Sequence, residues 1–244
     1  SAKGIVTFIC GLLKYPKILF SSEFTGKEKL FSLFLLSHFG MREISIIHSH
    51  SEMAGNKLLP IVRVLNKPLV VTFHGLPPVG VKPISASQRQ RYSRASSLIL
   101  VNTEFAKSQY VSLGAEPDKI KILPQGINLS DFKFQERPFP LGEVNVLTVG
   151  RFHPDKGQKY ALQAVASLIK RGVALRYRLV GNGPDRAELE SLSEELGVRQ
   201  QIEFYSGLSD SELRDIYSKS HVFILPSLKS KDGFHEETQG VVLQ

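Results

Sequence analysis

The sequence predicts an α/β protein built from two doubly wound parallel sheets, and three observations carry that expectation. Apolar runs of four to six residues recur along the chain. They are nearly continuous rather than alternating, as strands covered on both faces are. Helical segments separate them, the pattern of βαβ units. A single stretch breaks the rhythm. Residues 129–143 carry Pro138, Pro140, Gly142 and mixed charges, which is linker chemistry.

The elements follow in order. Glu43–His48 is a short apolar run with a polar end, and an amphipathic segment spans Glu52 to Leu65. Leu69–Phe73 is an apolar run held between Pro68 and Gly75, and Ser97–Val101 is another. Asn102 or Thr103 then supplies the N-cap of a helix. Lys119–Leu123 closes the first series. The second series runs strand Val144–Val149, helix Gly157–Lys170, strand Arg176–Val180, helix Pro184–Leu196, strand Ile202–Tyr205, helix Ser211–Ser218 and strand Val222–Leu225. Ser209 and Glu212 have capping-box spacing at the start of the last helix. The expected domains are 1–138 and 139–244, facing each other across a cleft.

Composition narrows the function classes. Cys10 is the sole cysteine, which excludes an internal disulfide framework and a multi-thiolate zinc site. No apolar run reaches the roughly 18 residues of a membrane span, because Lys27, Glu28 and Lys29 interrupt the longest. Together these give the expectation of a soluble cytoplasmic chain. Charge is uneven. Residues 1–138 hold 18 Lys/Arg against 9 Asp/Glu, while residues 139–244 hold 13 against 14. A basic first half suits an anionic partner, although a solvated basic surface accounts for the counts as well.

Ligands of open parallel sheets bind beyond the carboxyl ends of the strands. The positions there read His48-Ser-His50, His74-Gly75, Gly126-Ile-Asn128, Gly150-Arg151, Gly181-Asn-Gly183, Gly207-Leu208, Pro226-Ser227 and Glu237. Arg151 and Lys156 bracket a strand end and the start of the next helix, two cations suited to a diphosphate. A lysine at that point opposes the helix dipole, so structure alone does not ask for it. Gly181-Asn-Gly183 is a tight strand–helix turn more than a phosphate cradle, since Arg186 stands where a dinucleotide fingerprint needs glycine. His48, His50 and His74 leave open a metal-dependent hydrolase, but the other histidines, His38, His153, His221 and His235, show no ligand spacing. A non-catalytic nucleotide-sugar-binding or membrane-docking module also stays open.

The motifs then carry a resemblance. IIHSHS, VVTFHG and KIKILPQGINLSDF in the first half, and LTVGRFHPDKG, RLVGNGPDRAELE, IEFYSGLSDSELRDIY and VFILPSL in the second, occur in the order found in one family. From about Glu43 onward the chain resembles the retaining, glycogen-synthase-like glycosyltransferases of "group 1", whose two Rossmann-like domains form the GT-B fold. The resemblance implies transfer of a sugar from a nucleoside-diphosphate sugar to a glycan or lipid-linked acceptor. It implies His74 beside the donor sugar and Arg151 and Lys156, after Gly150, on the diphosphate. Gly207 and Leu208 would meet the nucleobase through their backbone. Glu237 would contact the sugar as the first carboxylate of a Glu–seven residues–Glu motif, and a helix opening near Gly240 would face the phosphates. No cofactor or metal is implied, and no Asp-x-Asp occurs in the chain. Nucleic acid is not an expected partner, whereas peripheral contact of the basic half with the cytoplasmic face of an anionic membrane is. The sequence departs from the family at Lys229–His235, which is longer and more charged. The family's N-terminal glycine-rich loop has no counterpart, and the second carboxylate would fall just beyond Gln244. The expectation is therefore a chain cut short at both ends and inactive by itself.

Overall fold

A computed structural model describes residues 15–22, 24–39, 44–76, 82–132, 136, 140–229 and 236–243. Cys10, Gly233, His235, Pro138 and Gln244 lie outside the described residues, as does most of the charged Lys229–His235 run. The chain divides into two compact units, Ser1–Pro124 and Gln125–Gln244. The division falls ahead of the linker composition at 129–143. Gln125 accounts for part of this. Its backbone N–H donates to Gln239 Oε1 at 3.0 Å and its carbonyl accepts from Gln239 Nε2 at 3.2 Å, so it is tied into the second unit.

In the first unit, helices α1 (Lys17–Phe20) and α2 (Gly26–Phe39) precede strand β1 (Ile47–Ser49), helix α3 (Glu52–Leu65) and strand β2 (Leu69–Phe73). Helix α4 (Ala86–Ala95), strand β3 (Leu98–Val101), helix α5 (Glu104–Ser112) and strand β4 (Ile120–Ile122) complete it. The four strands are parallel in the order β1-β2-β3-β4. Val71, Phe73, Ile99 and Val101 are buried, which is why their segments read as continuous apolar runs. Phe73 stacks on Tyr110 of α5 with ring centroids 4.0 Å apart. Thr103, Ser51 and Ser85 each cap a helix by accepting from a backbone N–H three residues on. Helix α4 is weakly apolar and carries a capping box at Ser85 and Gln88. Its anchor is a buried ion pair in which Arg89 donates to both oxygens of Glu52 at 2.8 and 2.9 Å and to the Leu113 carbonyl at 2.9 Å. Such a pair is tolerable in a core because its hydrogen-bonding groups are matched, and losing either partner would strand a buried charge.

In the second unit, β5 (Val144–Val149), α6 (Gln158–Lys170), β6 (Leu175–Val180), α7 (Arg186–Glu195), β7 (Ile202–Tyr205), α8 (Asp210–Ser218) and β8 (Val222–Phe223) alternate. The strands are parallel in the order β7-β6-β5-β8. Val146, Leu162, Val165, Tyr177, Leu179 and Leu189 form the core under α6 and α7. Leu147, Val180 and Ile216 pack on the other face with α8. The sheet is thus covered on both sides. β8 is shorter than expected, although Ile224 still donates to the Leu147 carbonyl at 2.9 Å. Ser209 and Glu212 form the expected capping box.

The strand order locates the site. The chain builds outward from β5 to β6 to β7, then returns to lay β8 on the free side of β5. The β5/β8 boundary is where the direction of winding reverses, and loops leaving the two strand ends there diverge and open a crevice. Arg151 follows β5, and Ser227 and Glu237 follow β8.

Candidate functional site

The loop after β5 is shaped by close backbone approaches. Gly150 leaves the strand, and a 3-10 turn spans Pro154–Lys156 before Gly157 enters α6 in the left-handed conformation, φ 65°. A Cβ on Gly157 would lie 2.1 Å from the Pro226 carbonyl oxygen, so a side chain there is excluded by position as well as by φ. Leu228 N–H donates to the Asp155 carbonyl at 2.7 Å, which joins the β5 and β8 loops. Gln158, buried at the first turn of α6, donates from Nε2 to the Arg151 carbonyl at 2.8 Å.

Two charged groupings result. Lys156 Nζ donates to Glu237 Oε2, and Ser227 Oγ donates to the same oxygen at 3.3 Å. Arg151 Nη2 lies 3.8 Å from Asp155 Oδ2, while His153 Nδ1 contacts Asp155 Oδ1. Asp155 is buried, Lys156 and Glu237 are partly exposed, and the Arg151 side chain is 52% exposed. Lys156 and Glu237 are thereby brought together, and Arg151 is held on the same loop by a different carboxylate. Ser227 stood among the strand-end positions named from the sequence, whereas sequence reasoning missed Asp155 and Gln158. The available signal was the i,i+4 spacing of Arg151 and Asp155.

The other expected positions are laid out along the same sheet edge. Gly207 follows β7 with φ 67°, and Leu208 packs against the Leu147 cluster. β7 is two strands from β5, so these residues lie about 10 Å across the edge from Gly150. Gly181-Asn182-Gly183 is a packing turn: Phe152 N–H donates to the Asn182 carbonyl at 2.9 Å, and a Cβ on Gly181 would fall 1.9 Å from the Gly150 carbonyl oxygen. Arg186 pairs with Glu190 at 3.0 Å. The helix expected from Gly240 is instead a 3-10 turn, Val241–Leu243, with Leu243 N–H donating to the Gly240 carbonyl at 2.9 Å. Bonds of the i→i−3 kind hold these residues, and they present no run of α-helical amides.

In the first unit, His48, His50 and His74 gather at the carboxyl ends of β1 and β2. His48 Nε2 is 2.8 Å from Thr72 Oγ1, and His50 Nδ1 is 3.3 Å from His74 Nε2. Burial lowers the pKa of both His48 and His74 below the ordinary imidazole value, and the neighbouring His50 adds to it. Among the described residues, no group of three or more His, Cys, Asp or Glu is arranged to hold a metal ion. One nitrogen of each ring is engaged, with Thr72 or with the facing ring, and nothing in this arrangement favours the hydrolase reading.

The family model for glycosyl transferases group 1 matches residues 130–244, and that for glycosyltransferase family 4 matches residues 14–131. The chain is thus similar to glycosyltransferases along both units, to glycosyltransferase family 4 in the first and to glycosyl transferases group 1 in the second. It is 28% identical over 215 residues to the D-inositol 3-phosphate glycosyltransferase of Rhodococcus erythropolis, covering 78% of this chain and 48% of that protein. It is 23% identical over 195 residues to the amylovoran biosynthesis glycosyltransferase AmsK of Erwinia amylovora, covering 78% and 47%. The chain thus spans about half the length of these relatives. The crystal structure of Anabaena HepE in complex with UDP and glucose superposes with a TM-score of 0.66 at 16% identity, covering 85% of this chain and 59% of that one. That likeness establishes the GT-B fold.

Proposed function

We propose that the protein moves a sugar from a nucleoside-diphosphate sugar to a glycan or lipid-linked acceptor, with retention at the anomeric carbon. The observation that carries this reading is the Lys156–Glu237 pair at the β5/β8 boundary, a cation and a carboxylate drawn from loops 81 residues apart. Lys156 and Arg151 serve the diphosphate, Glu237 the sugar hydroxyls, and the backbone of Gly207 and Leu208 the base. The resemblance assigns His74 to the donor sugar as well. In the reaction the anomeric C–O bond breaks and its electron pair stays on the phosphate oxygen. Negative charge grows there, where preorganised cations are worth most. The acceptor oxygen forms the new bond, and its proton passes to the departing phosphate oxygen on which the negative charge has grown. Relatives named for sugar transfer and neighbours solved with UDP support the donor class.

The acceptor side of the reading includes a membrane. Phe20, Leu30, Phe31 and Phe34 are exposed on α1 and α2 beside the exposed Lys17 and Lys27. Apolar side chains flanked by lysines suit the interface of an anionic leaflet, and we place it at the cytoplasmic face. No helix among the described residues is long and apolar enough to cross a membrane.

The deciding experiment is a thermal-shift screen of this chain against UDP-, GDP- and ADP-sugars and their parent diphosphates. A ligand that binds the folded state raises its apparent stability. One nucleotide class should raise the Tm, and a flat response across all of them would overturn the donor assignment.

A further inference from the structure

Each of the two cations at the crevice after β5 and β8 is already matched by a carboxylate. Arg151 Nη2 lies 3.8 Å from Asp155 Oδ2, and Lys156 Nζ donates to Glu237 Oε2. The two carboxylates differ in what they can meet. Asp155 is buried, with 2% of its side chain exposed, and His153 contacts its other oxygen. The Glu237 side chain is 29% exposed. Ser227 Oγ donates at 3.3 Å to the same Glu237 oxygen as Lys156, and no described residue donates to Oε1. A negative charge with one uncommitted oxygen therefore stands in contact with Lys156, the cation assigned to the diphosphate.

We propose, on the reading of this crevice as the donor site, that Glu237 is a specificity-determining residue whose charge disfavours the spent nucleoside diphosphate relative to the intact nucleotide sugar. The two ligands differ at one phosphate. In the nucleotide sugar the outer phosphate is esterified and ionises once. After the sugar has left, that phosphate is terminal, ionises a second time near pH 6 and carries an extra negative charge at neutral pH. The extra charge sits where the sugar was attached, on the side assigned to Glu237. Glu237 meets the sugar as an acceptor, since hydroxyls donate to Oε1. It meets the spent diphosphate as a like charge, and Lys156 must then serve two anions at once. Ser227 contacts the oxygen that Lys156 uses, so the carboxylate retains a donor when the lysine turns to the phosphate. Discrimination here comes from a repulsive element against one ligand as well as an attractive one toward the other. The same charge that receives the donor promotes departure of the product.

The test is isothermal titration of the 244-residue chain and of Glu237→Gln with three pairs of ligands: UDP and UDP-glucose, GDP and GDP-mannose, ADP and ADP-glucose. Gln has the shape of Glu, accepts from Lys156 and Ser227 through its amide oxygen and lacks the charge, so the loops keep their junction. For the pair that the wild-type chain binds, Glu237→Gln should bind the diphosphate about threefold to fivefold more tightly, the size of one partly exposed charge pair. The nucleotide sugar should gain nothing, because the relieved repulsion is offset by a neutral, weaker acceptor for its hydroxyls. The ratio of the two affinities is what a merely structural role for Glu237 would leave unmoved, since a disturbed loop weakens both ligands together. Unchanged or weaker diphosphate binding in Glu237→Gln, or an equal gain for both members of the pair, would overturn the proposal. Failure of the wild-type chain to bind any of the six overturns the donor assignment and the proposal with it, a result distinct from a pair that binds without a shift in ratio.

Discussion

Lys156 donates to Glu237, and Ser227 donates to the same carboxylate oxygen, so one oxygen after β8 holds the cation that follows β5. The carboxylate keeps the lysine at the crevice and has a second oxygen with which to accept hydrogen bonds from a ligand.

Replacing that lysine should be costly for ligand and cheap for fold. Lys156→Ala is expected to weaken binding of a nucleoside diphosphate by about 1.5–3 kcal/mol, the loss of a charge-assisted hydrogen bond. Arg151 is half exposed, so Arg151→Ala should act in the same direction but by roughly 1 kcal/mol or less. Isothermal titration of both variants measures this, and wild-type affinity in both would remove the diphosphate assignment.

The loop junction predicts a backbone-specific defect. Gly157→Ala forces a Cβ onto the Pro226 carbonyl and strains a positive φ. It should destabilise the chain by about 1–3 kcal/mol in urea melts and weaken donor binding too. Ala at Gly142, where nothing lies within 4 Å, should do neither.

Acid should loosen the histidine edge of the first unit. Burial depresses the folded-state pKa of His48 and His74 below the ordinary 6.5. Above about 6.5 the rings are neutral in both states and stability is complete. As pH falls, the unfolded chain takes up protons first, so stability declines until the folded rings protonate as well. His48→Gln should flatten that decline between neutral and mildly acidic pH, and melts across the range would show it.

If Lys156 and Arg151 handle the leaving-group charge, donor binding and transfer need no divalent ion. Binding should survive EDTA. Loss on chelation, with recovery on adding manganese or zinc, would return the His48, His50 and His74 hydrolase to consideration.

The exposed apolar strip predicts vesicle binding. The chain should pellet with phosphatidylserine-rich vesicles and less with neutral ones, and high salt should reduce the effect. Phe31→Ser with Phe34→Ser should abolish most of it. Equal binding to neutral and anionic vesicles would leave the lysines without a role.

The sequence by itself determined the alternation of buried strands and helices, and its boundaries for α3, β2, β5 and β7 coincide with the structure. Continuous apolar runs and caps such as Thr103 and Ser209 are local signals, set by burial on two faces and by unsatisfied backbone N–H groups. Helix α4 was not legible in this way. Its interior is polar, and what holds it is the Arg89–Glu52 pair, which depends on a residue 37 positions away. The site divides along the same line. Arg151, Lys156 and Glu237 could be named from motif spacing. Tertiary structure alone decided that Lys156 meets Glu237 and Ser227, and that His50 meets His74 edge to edge. Each of those contacts is created by strand order and register, which bring together chain ends that no local pattern relates.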